Sequence, residues 1–386
     1  MQIPRFELER WQSVWENQVE INISESGVLP LTVAELVPDA AALQRLLSTP
    51  LGYPQTNGSE PTRAAVAALY PQASPANVLM TTGCAEANFL AVWALVEPRD
   101  EVIFMQPNYL QIGQLAASLG ARVHELRLRE ELAWRFDGDD LRRLVNERTS
   151  IIAVCNPNNP TGAVMTEEAM EEVCGCAARV GAWVLADEVY RGAEFSGGLT
   201  PTFWNRYERV LCTGGLSKAY SLPGLRTGWV VAPPEMVDRL WSYHDYTTIG
   251  ISMLSDRLAA IALEPATRRR IRERLQGVLR RNYPLVQEWV AAQAEVVRHI
   301  PPVAGAIAWI GYELDIIADE LADELRRTQS VLIVPGTQFG PEFNRFIRIG
   351  FAGEHLHLQQ GLARLSEALA ATLSNQGISL ADISKF

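Results

Sequence analysis

Short apolar runs alternate with helical patterns through the middle of the chain. The runs are Val78–Met80, Val102–Met105, Val123–Leu128, Ile151–Cys155, Trp183–Ala186, Val210–Cys212 and Gly228–Val231. Helix-like segments such as Glu86–Val96 and Glu167–Val180 lie between them. Because strands that alternate with helices pair in parallel and are covered on both faces, the pattern predicts an α/β fold with a mostly parallel central sheet.

The pattern changes after Arg257. A long charged helical region, Ala266–Gln293, precedes a possible strand–helix–strand unit, the run FIRIGF at Phe346–Phe351 and a final amphipathic helix. No repeat, low-complexity tract or flexible linker separates the two parts. We therefore predict a large domain over residues 37–257 and a smaller α+β domain built from residues 1–36 and 258–386.

The composition is that of a globular protein with a sizeable core. Of 386 residues, 48% are hydrophobic and 20% charged, and 45 acidic against 34 basic side chains give a net charge of −11. Nucleic acids and anionic membranes attract basic surfaces, so this balance argues against both as partners. It says little about a small substrate, because a small ligand responds to the local charge.

Cysteine and histidine usage predicts no metal site. The five cysteines, at positions 84, 155, 174, 176 and 212, are scattered, as are the five histidines. Cys174 and Cys176 lie two residues apart in a helical stretch and so face different directions. The chain shows no signal-peptide pattern and no run approaching about 18 apolar residues. We expect a cytoplasmic protein with reduced thiols.

Three chemically unusual segments follow predicted strands. They are NPNNPTG at Asn156–Gly162, ADEVY at Ala186–Tyr190 and GGLSKAYSLPGLRTGW at Gly214–Trp229. Function in parallel sheets gathers in the loops beyond the carboxyl ends of the strands, which meet at one edge. Each segment alone could be a turn or a solvated helix start. Their order and spacing together indicate a site.

In that order and at those spacings, the segments resemble the fold type I pyridoxal 5′-phosphate (PLP) enzymes of the aspartate aminotransferase superfamily. The resemblance spans roughly Gly52 to Gly350. It implies the fold type I PLP-transferase architecture, PLP as cofactor, an amino acid and a 2-oxo acid as small-molecule substrates, and a homodimer with shared active sites.

The resemblance assigns the central catalytic roles. Lys218 carries PLP as a Schiff base, and a desolvated lysine can also act as nucleophile and base. Asp187, at the end of a strand, keeps the pyridine nitrogen protonated. Tyr190 and Asn159 donate to the phenolic oxygen of the cofactor, and Asn159 also borders the substrate. Glu188 points the other way along an extended backbone and is expected to be structural.

A strand–turn–helix junction and an arginine match the family's phosphate site. The turn Gly83-Cys84-Ala85 offers backbone amides at a helix N-terminus, where an anion is stabilised. Arg226, eight residues after the lysine, matches the phosphate-binding arginine, and Ser217 can add a hydroxyl. The family often has a serine three residues before the lysine, where this chain has glycine, so one phosphate contact is in doubt.

Four further residues carry roles implied by the resemblance. Tyr109 matches the aromatic residue that stacks on the cofactor ring, although core packing is an alternative for it. Tyr53 resembles the tyrosine that reaches the phosphate in the neighbouring subunit. Arg348, within an apolar strand that leaves it in need of an anionic partner, resembles the arginine that binds the substrate α-carboxylate. Gly27 is expected to contact the substrate through its backbone.

The reaction has a default and an alternative interpretation. An aminotransferase acting on a small L-amino acid is the default for the family. The segments Ser26–Val28, Ser217–Trp229 and His244–Thr248 are also similar to PLP-dependent cyclases of the capreomycidine synthase type, which act on an arginine-derived amino acid by elimination and ring closure. A catalytically inactive, cofactor-binding regulator is disfavoured because Lys218 is present and no basic domain is appended.

Overall fold

The computed structural model describes residues 2–37 and 39–375, and its centre is a seven-stranded sheet. The strands of the large domain are β2 (Val78–Thr81), β3 (Glu101–Gln106), β4 (Arg122–Arg127), β5 (Thr149–Cys155), β6 (Trp183–Asp187), β7 (Val210–Gly215) and β8 (Gly228–Val231), after a short β1 (Ile21–Asn22) near the N-terminus. Their order in the sheet is β2-β8-β7-β6-β5-β3-β4. Only β8 runs antiparallel to its neighbours, so the prediction of a mostly parallel sheet is confirmed.

Helices cover both faces of this sheet. The helices up to residue 263 are α1 (Glu7–Trp15), α2 (Val33–Leu36), α3 (Ala40–Leu47), α4 (Glu60–Ala67), α5 (Cys84–Leu95), α6 (Gln111–Ser118), α7 (Gly138–Leu144), α8 (Glu167–Val180), α9 (Pro234–His244) and α10 (Met253–Leu263). Every residue of β2, β3, β7 and β8 is buried, as expected for strands covered on both sides.

Local chemistry explains where the helices start and stop. The Thr166 side chain accepts a hydrogen bond from the Ala169 amide and caps α8, which ends at Gly181 with a φ of 70°. Between β2 and β3, α5 is apolar on nearly all sides because it packs between the sheet and α9. These signals place the first turn of α5 next to the end of β7.

The C-terminal part forms a second, antiparallel sheet. The elements of this part of the chain are α11 (Pro265–Ala292), β9 (Val297–His299), β10 (Ile307–Tyr312), α12 (Ala318–Gln329), β11 (Val331–Leu332), β12 (Val334–Pro335), β13 (Phe346–Gly350) and α13 (His355–Asn375). The sheet order is β12-β13-β10-β9, and β1 pairs in parallel with β11. The N-terminal segment therefore joins the C-terminal part, while the domain bounds at 37 and 257 stay a prediction. Of the smaller predicted domain, residues 1 and 376–386 lie outside the described residues.

Within the described ranges, no helix combines the length and apolarity needed to cross a membrane.

Candidate active site

A cavity of about 450 Å³ lies at the carboxyl ends of β5, β6 and β7. Ten of the residues singled out in the sequence line it: Cys84, Ala85, Tyr109, Asn159, Asp187, Tyr190, Ser217, Lys218, Arg226 and Arg348. They come from the loops after five different strands and from β13, which lie far apart in the sequence. The topology thus brings the three motifs to one edge of the sheet, where ligands of α/β folds bind.

Asp187 ends β6 as a buried carboxyl group held by neutral donors. One of its oxygens accepts a hydrogen bond from Asn88 Nδ2 at 2.9 Å, and the other accepts one from the Val189 amide at 3.0 Å. Burial raises the pKa of Asp187, and these hydrogen bonds and the charge of Lys218 oppose the rise. A buried carboxylate of this kind is stabilised by a cation in the cavity, which a protonated pyridine nitrogen would supply.

Lys218 follows β7 on a turn and projects into the same cavity. Burial lowers the pKa of its amine; the Arg348 and Arg226 charges lower it further, while Glu25 and Glu9 oppose the shift. A depressed pKa increases the fraction of neutral amine, which is the form that attacks a carbonyl or accepts a proton.

Gly83 and Arg226 form a cradle at the N-terminus of α5. Gly83 has a φ of 83°, and a β-carbon there would lie 2.6 Å from Arg226 Nη2, so a side chain is excluded. Arg226 itself has a φ of 48° and places Nη1 3.1 Å from the Pro223 carbonyl and 3.5 Å from Ser217 Oγ. Backbone amides, the positive end of a 12-residue helix and a guanidinium group fit a phosphate.

Arg348 is fully buried in the centre of β13, with 1% of its surface exposed. Its Nη1 donates to Asn159 Oδ1 at 3.1 Å and its Nη2 to the Ser24 carbonyl at 2.7 Å, while Nε has no acceptor. No carboxylate of the described residues pairs with it. Burial lowers the pKa of this guanidinium group, so an anionic ligand that replaces the missing partner is favoured. The α-carboxylate of an amino acid has the required charge and shape.

The two tyrosines of the cavity differ in their surroundings. Tyr190 is 3% exposed, and burial raises the pKa of its hydroxyl, so it stays a proton donor at neutral pH. Tyr109 is half-buried, its ring centre lies 4.7 Å from that of Phe6, and its hydroxyl donates to Glu9 Oε1 at 2.7 Å. The hydroxyl contact was not expected from the sequence, whereas the position of the ring on the cavity wall was.

Three predicted residues do not line the cavity, and one of them, Gly83, belongs to the cradle beside Arg226. Gly27 lies next to it, since a β-carbon there would stand 3.9 Å from Lys218 Cδ. Tyr53 is 84% exposed, and no described residue bonds to its hydroxyl. Its predicted contact with a second subunit stays a prediction.

Sequence reasoning missed three acidic residues on the cavity wall. Glu9 projects from α1, Glu16 directly follows this helix, and Glu25 comes from the segment that follows β1. None of the three forms an ion pair with a described residue. Burial raises the pKa of Glu16, and the like charges of Glu25 and Glu9 raise it further. The spacing of Glu9, Gln12, Ser13 and Glu16 marks one face of a helix, but nothing in the sequence says which surface that face covers.

No group of three potential metal ligands among His, Cys, Asp and Glu occurs in residues 2–37 and 39–375. The five cysteines are unpaired and buried.

The chain is similar to enzymes of one family along almost its whole length. The family model described as aminotransferase class I and II matches residues 24–365. Capreomycidine synthase of Streptomyces vinaceus is 36% identical over 371 residues, which cover 95% of this chain and 94% of that protein.

Solved structures agree with this similarity. A PLP-dependent aminotransferase from Streptococcus suis superposes with a TM-score of 0.90 at 35% identity, over 96% of this chain and 99% of that one. The PLP-dependent cyclase OrfR superposes with a TM-score of 0.86 at 28% identity, over 96% and 98%.

Proposed function

The chain belongs to the class I and II aminotransferase family and is a PLP-dependent enzyme of fold type I; from this premise we propose that its substrate is an L-amino acid with a cationic side chain, and that its reaction is elimination and ring closure. The observation that carries the substrate class is the presence, in one cavity, of a buried arginine without an anionic partner and three carboxylates without a cationic partner among the described residues. A zwitterionic amino acid with a positive side chain satisfies both.

The charges of the cavity explain this choice. The α-carboxylate of the substrate binds Arg348, whose Nε lacks an acceptor. Its side-chain cation then lies among Glu9, Glu16 and Glu25, where the mutual repulsion of the carboxylates is relieved. A guanidinium group can bond two carboxylates at once through its five N–H donors. An amino acid with an uncharged side chain would leave these acids unpaired.

The remaining residues of the cavity have roles that follow from their surroundings. Bound PLP supplies an electron sink for the substrate Cα. Asp187 would hold the ring nitrogen, the Gly83–Ala85 turn and Arg226 would hold the phosphate, and Tyr190 and Asn159 would donate hydrogen bonds to the ring oxygen. The neutral amine of Lys218 then takes the Cα proton at Nζ, because burial has already lowered its pKa.

The similarity to a cyclase, 36% identity over 95% of the chain, supports ring closure. Amino transfer is the second candidate, because the family model and the Streptococcus suis structure are those of aminotransferases. The two reactions are separable. Amino transfer needs a 2-oxo acid as acceptor and yields another, whereas cyclisation of a β-hydroxylated arginine needs no acceptor and gives a product one water lighter.

The test of substrate class uses L-arginine and L-citrulline, which are nearly isosteric and differ in side-chain charge. The holoenzyme should bind arginine at least about tenfold more tightly, because citrulline leaves the carboxylates unpaired. Spectral titration of the bound cofactor measures both affinities. Glu16→Gln and Glu25→Gln should weaken arginine and leave citrulline nearly unchanged, with Glu208→Gln, an exposed site, as control. Equal affinities in the wild-type enzyme would refute the substrate class.

The test of reaction type follows the product mass from 3-hydroxyarginine with and without pyruvate. Loss of one water in the absence of pyruvate supports cyclisation. Formation of alanine together with a 2-oxo acid, and only when pyruvate is present, shows amino transfer instead.

A further inference from the structure

A second cavity, of about 310 Å³, lies on the far side of the segments that carry Lys218 and Asp187. We call it the rear cavity and define it by Tyr70, Glu188, Arg191, Tyr220, Arg268 and Arg272. Glu188 directly follows Asp187, and Tyr220 lies two residues after Lys218, yet the two cavities share no lining residue. A ligand in the rear cavity would therefore contact the turn of Lys218 on the side opposite the active-site cavity.

Four arginines surround the rear cavity: Arg191, Arg268, Arg269 and Arg272. Of these four arginines, only Arg272 has an ion-pair partner among the described residues, Glu194, at 3.7 Å. Arg191 is fixed by donating from Nε to the Thr200 carbonyl at 2.8 Å and from Nη1 to the Leu69 carbonyl at 3.1 Å. These neutral contacts hold the guanidinium group in place, and it has no ion-pair partner among the described residues.

The one acid on the cavity wall does not balance these charges. The Glu188 carboxyl group already accepts hydrogen bonds from Thr202 Oγ1 at 2.8 Å and the Phe203 amide at 2.7 Å. Its pKa is raised by burial, an effect that Arg191 opposes. The rear cavity therefore carries an excess of positive charge.

Two polar groups without a protein partner among the described residues lie at the same place. The Nε of Arg272 is buried without an acceptor. Tyr220 is 9% exposed, and no described residue bonds to its hydroxyl. In addition, the first two turns of α11, a helix of 28 residues that begins at Pro265, line the cavity, so the positive end of the helix lies beside the space. All three features favour an oxyanion.

The rest of the wall is apolar. Leu69, Leu199, Ile271 and Trp229 provide it. Small-molecule sites are mostly apolar concavities of about 300–1,000 Å³ with a few polar groups that fix orientation, and the rear cavity falls at the low end of that range.

We propose that the rear cavity is a binding site for a small organic anion, a carboxylate on an apolar body about the size of one aromatic ring. Guanidinium groups bond carboxylates in a bidentate manner, and Arg268 and Arg269 have no competing partner among the described residues. The apolar wall holds the body of the ligand. This site is separate from the one at Arg348 and requires nothing of the reaction.

The probe is 4-bromobenzoate, with 4-bromobenzamide as its uncharged match. Crystals of the holoenzyme soaked with 4-bromobenzoate should show a bromine anomalous peak in the rear cavity, whether or not a second molecule binds at Arg348. Calorimetry in solution should detect binding of the acid and at least tenfold weaker binding of the amide. The double variant Arg268→Gln/Arg269→Gln should weaken the acid at least about tenfold.

The controls separate this site from the active site. Arg281→Gln removes an exposed charge further along α11 and should leave the affinity unchanged. Arg268 is half-exposed and Arg269 exposed, so both substitutions are compatible with the fold, and the crystallographic result does not depend on them. A bromine peak only at Arg348, equal binding of acid and amide, or equal competition by inorganic phosphate would each overturn the proposal.

Discussion

Lys218 combines a position at the end of a buried strand with a depressed pKa. We expect Lys218→Met to abolish turnover, and borohydride reduction of the wild-type holoenzyme to fix the cofactor on this residue. Peptide mapping after reduction gives the result directly. A cofactor-bearing peptide that contains any other lysine would contradict the assignment.

The same depressed pKa predicts how the stability of the apoenzyme depends on pH. A lysine whose pKa is lower in the folded state binds its proton more strongly in the unfolded state. Its protonation therefore lowers the free energy of unfolding at low pH, and this loss of stability becomes smaller as pH rises toward 10.5. Lys218→Met should therefore raise the Tm of the apoenzyme at pH 7, and the gain should shrink between pH 8 and pH 10. Calorimetric scans of both proteins across this range measure it. A gain that stays constant with pH would mean that the lysine is not desolvated.

A substitution at Asp187 tests whether this carboxylate binds the ring nitrogen of the cofactor. Asp187→Asn keeps the size of the side chain, but it replaces one of the two acceptor oxygens with an amide donor and removes the charge that would hold the ring nitrogen protonated. We expect PLP to remain bound and turnover to fall about 100-fold or more, which corresponds to about 2.7 kcal/mol or more of transition-state stabilisation. Absorbance of bound PLP and steady-state rates separate the two effects. Activity within a few-fold of wild type would contradict the role.

At the scale of elements, Glu86 ties the first turn of α5 to the segment after α9. Its carboxylate accepts hydrogen bonds from the Thr82 amide at 2.5 Å, from Thr247 Oγ1 at 2.5 Å and from Thr248 Oγ1 at 2.8 Å, and pairs with His244 at 3.2 Å. Burial alone would raise the pKa of Glu86, but the bonds from His244, Thr247 and Thr82 lower it to about 2.

Glu86→Gln should therefore lower the Tm at pH 7. A depressed pKa contributes stability that is complete above the unfolded value of 4.5 and is lost as pH falls toward 2. The difference between wild type and variant should shrink as pH falls from 5 to 3. Glu208→Gln, at an exposed position, serves as the control. A Tm difference that persists unchanged at pH 3 would show that packing, and not charge, is responsible.

The strands and motifs could be predicted because their signals are local. Apolar runs that are followed by Gly83, Pro107 or Pro157 mark strand ends, and parallel topology then brings those ends together. The strand positions agree within about two residues except at β7, which continues to Gly215. A run of two glycines looks like a turn, and only the pairing of Gly214 with Trp229 and of Gly215 with Gly228 makes it a strand.

The acidic wall could not be predicted, because it depends on where α1 packs. The polar face of α1 looks like a solvated helix surface in the sequence. Gln12 fixes the orientation of α1, because this side chain is 8% exposed and donates hydrogen bonds to the Ser24 carbonyl and hydroxyl, at 3.2 and 3.0 Å. In this orientation Glu9 and Glu16 face the cavity. This contact is tertiary, so no periodicity reveals it.

At the scale of the whole molecule, Tyr53 predicts an obligate dimer. It is 84% exposed in the single chain and lies beside Leu51, which is 79% exposed, an apolar surface that suits an interface. If Tyr53 completes the phosphate site of a partner, then a mixture of inactive Lys218→Ala and impaired Tyr53→Ala proteins should regain activity. One site of each mixed dimer would combine the intact lysine of one chain with the intact tyrosine of the other.

Refolding the two variants together, with each refolded alone as control, measures the recovery. The active species should sediment as a dimer at micromolar concentration. A fully active monomer, or no recovery in the mixture, would contradict the shared site.

The segment around Glu25 is joined to the strand of Arg348 by its backbone. Ile23 accepts from the Gly350 amide at 2.7 Å, Leu29 donates to the Ala352 carbonyl at 2.9 Å, and a β-carbon at position 350 would collide with the Glu25 carbonyl. For protein engineering, the start of the chain therefore cannot be exchanged on its own to change the substrate specificity. A chimaera that exchanges residues 1–30 with a relative should retain its fold only when the FIRIGF strand is exchanged with them, so selection for new substrates should recover paired changes in these two distant stretches.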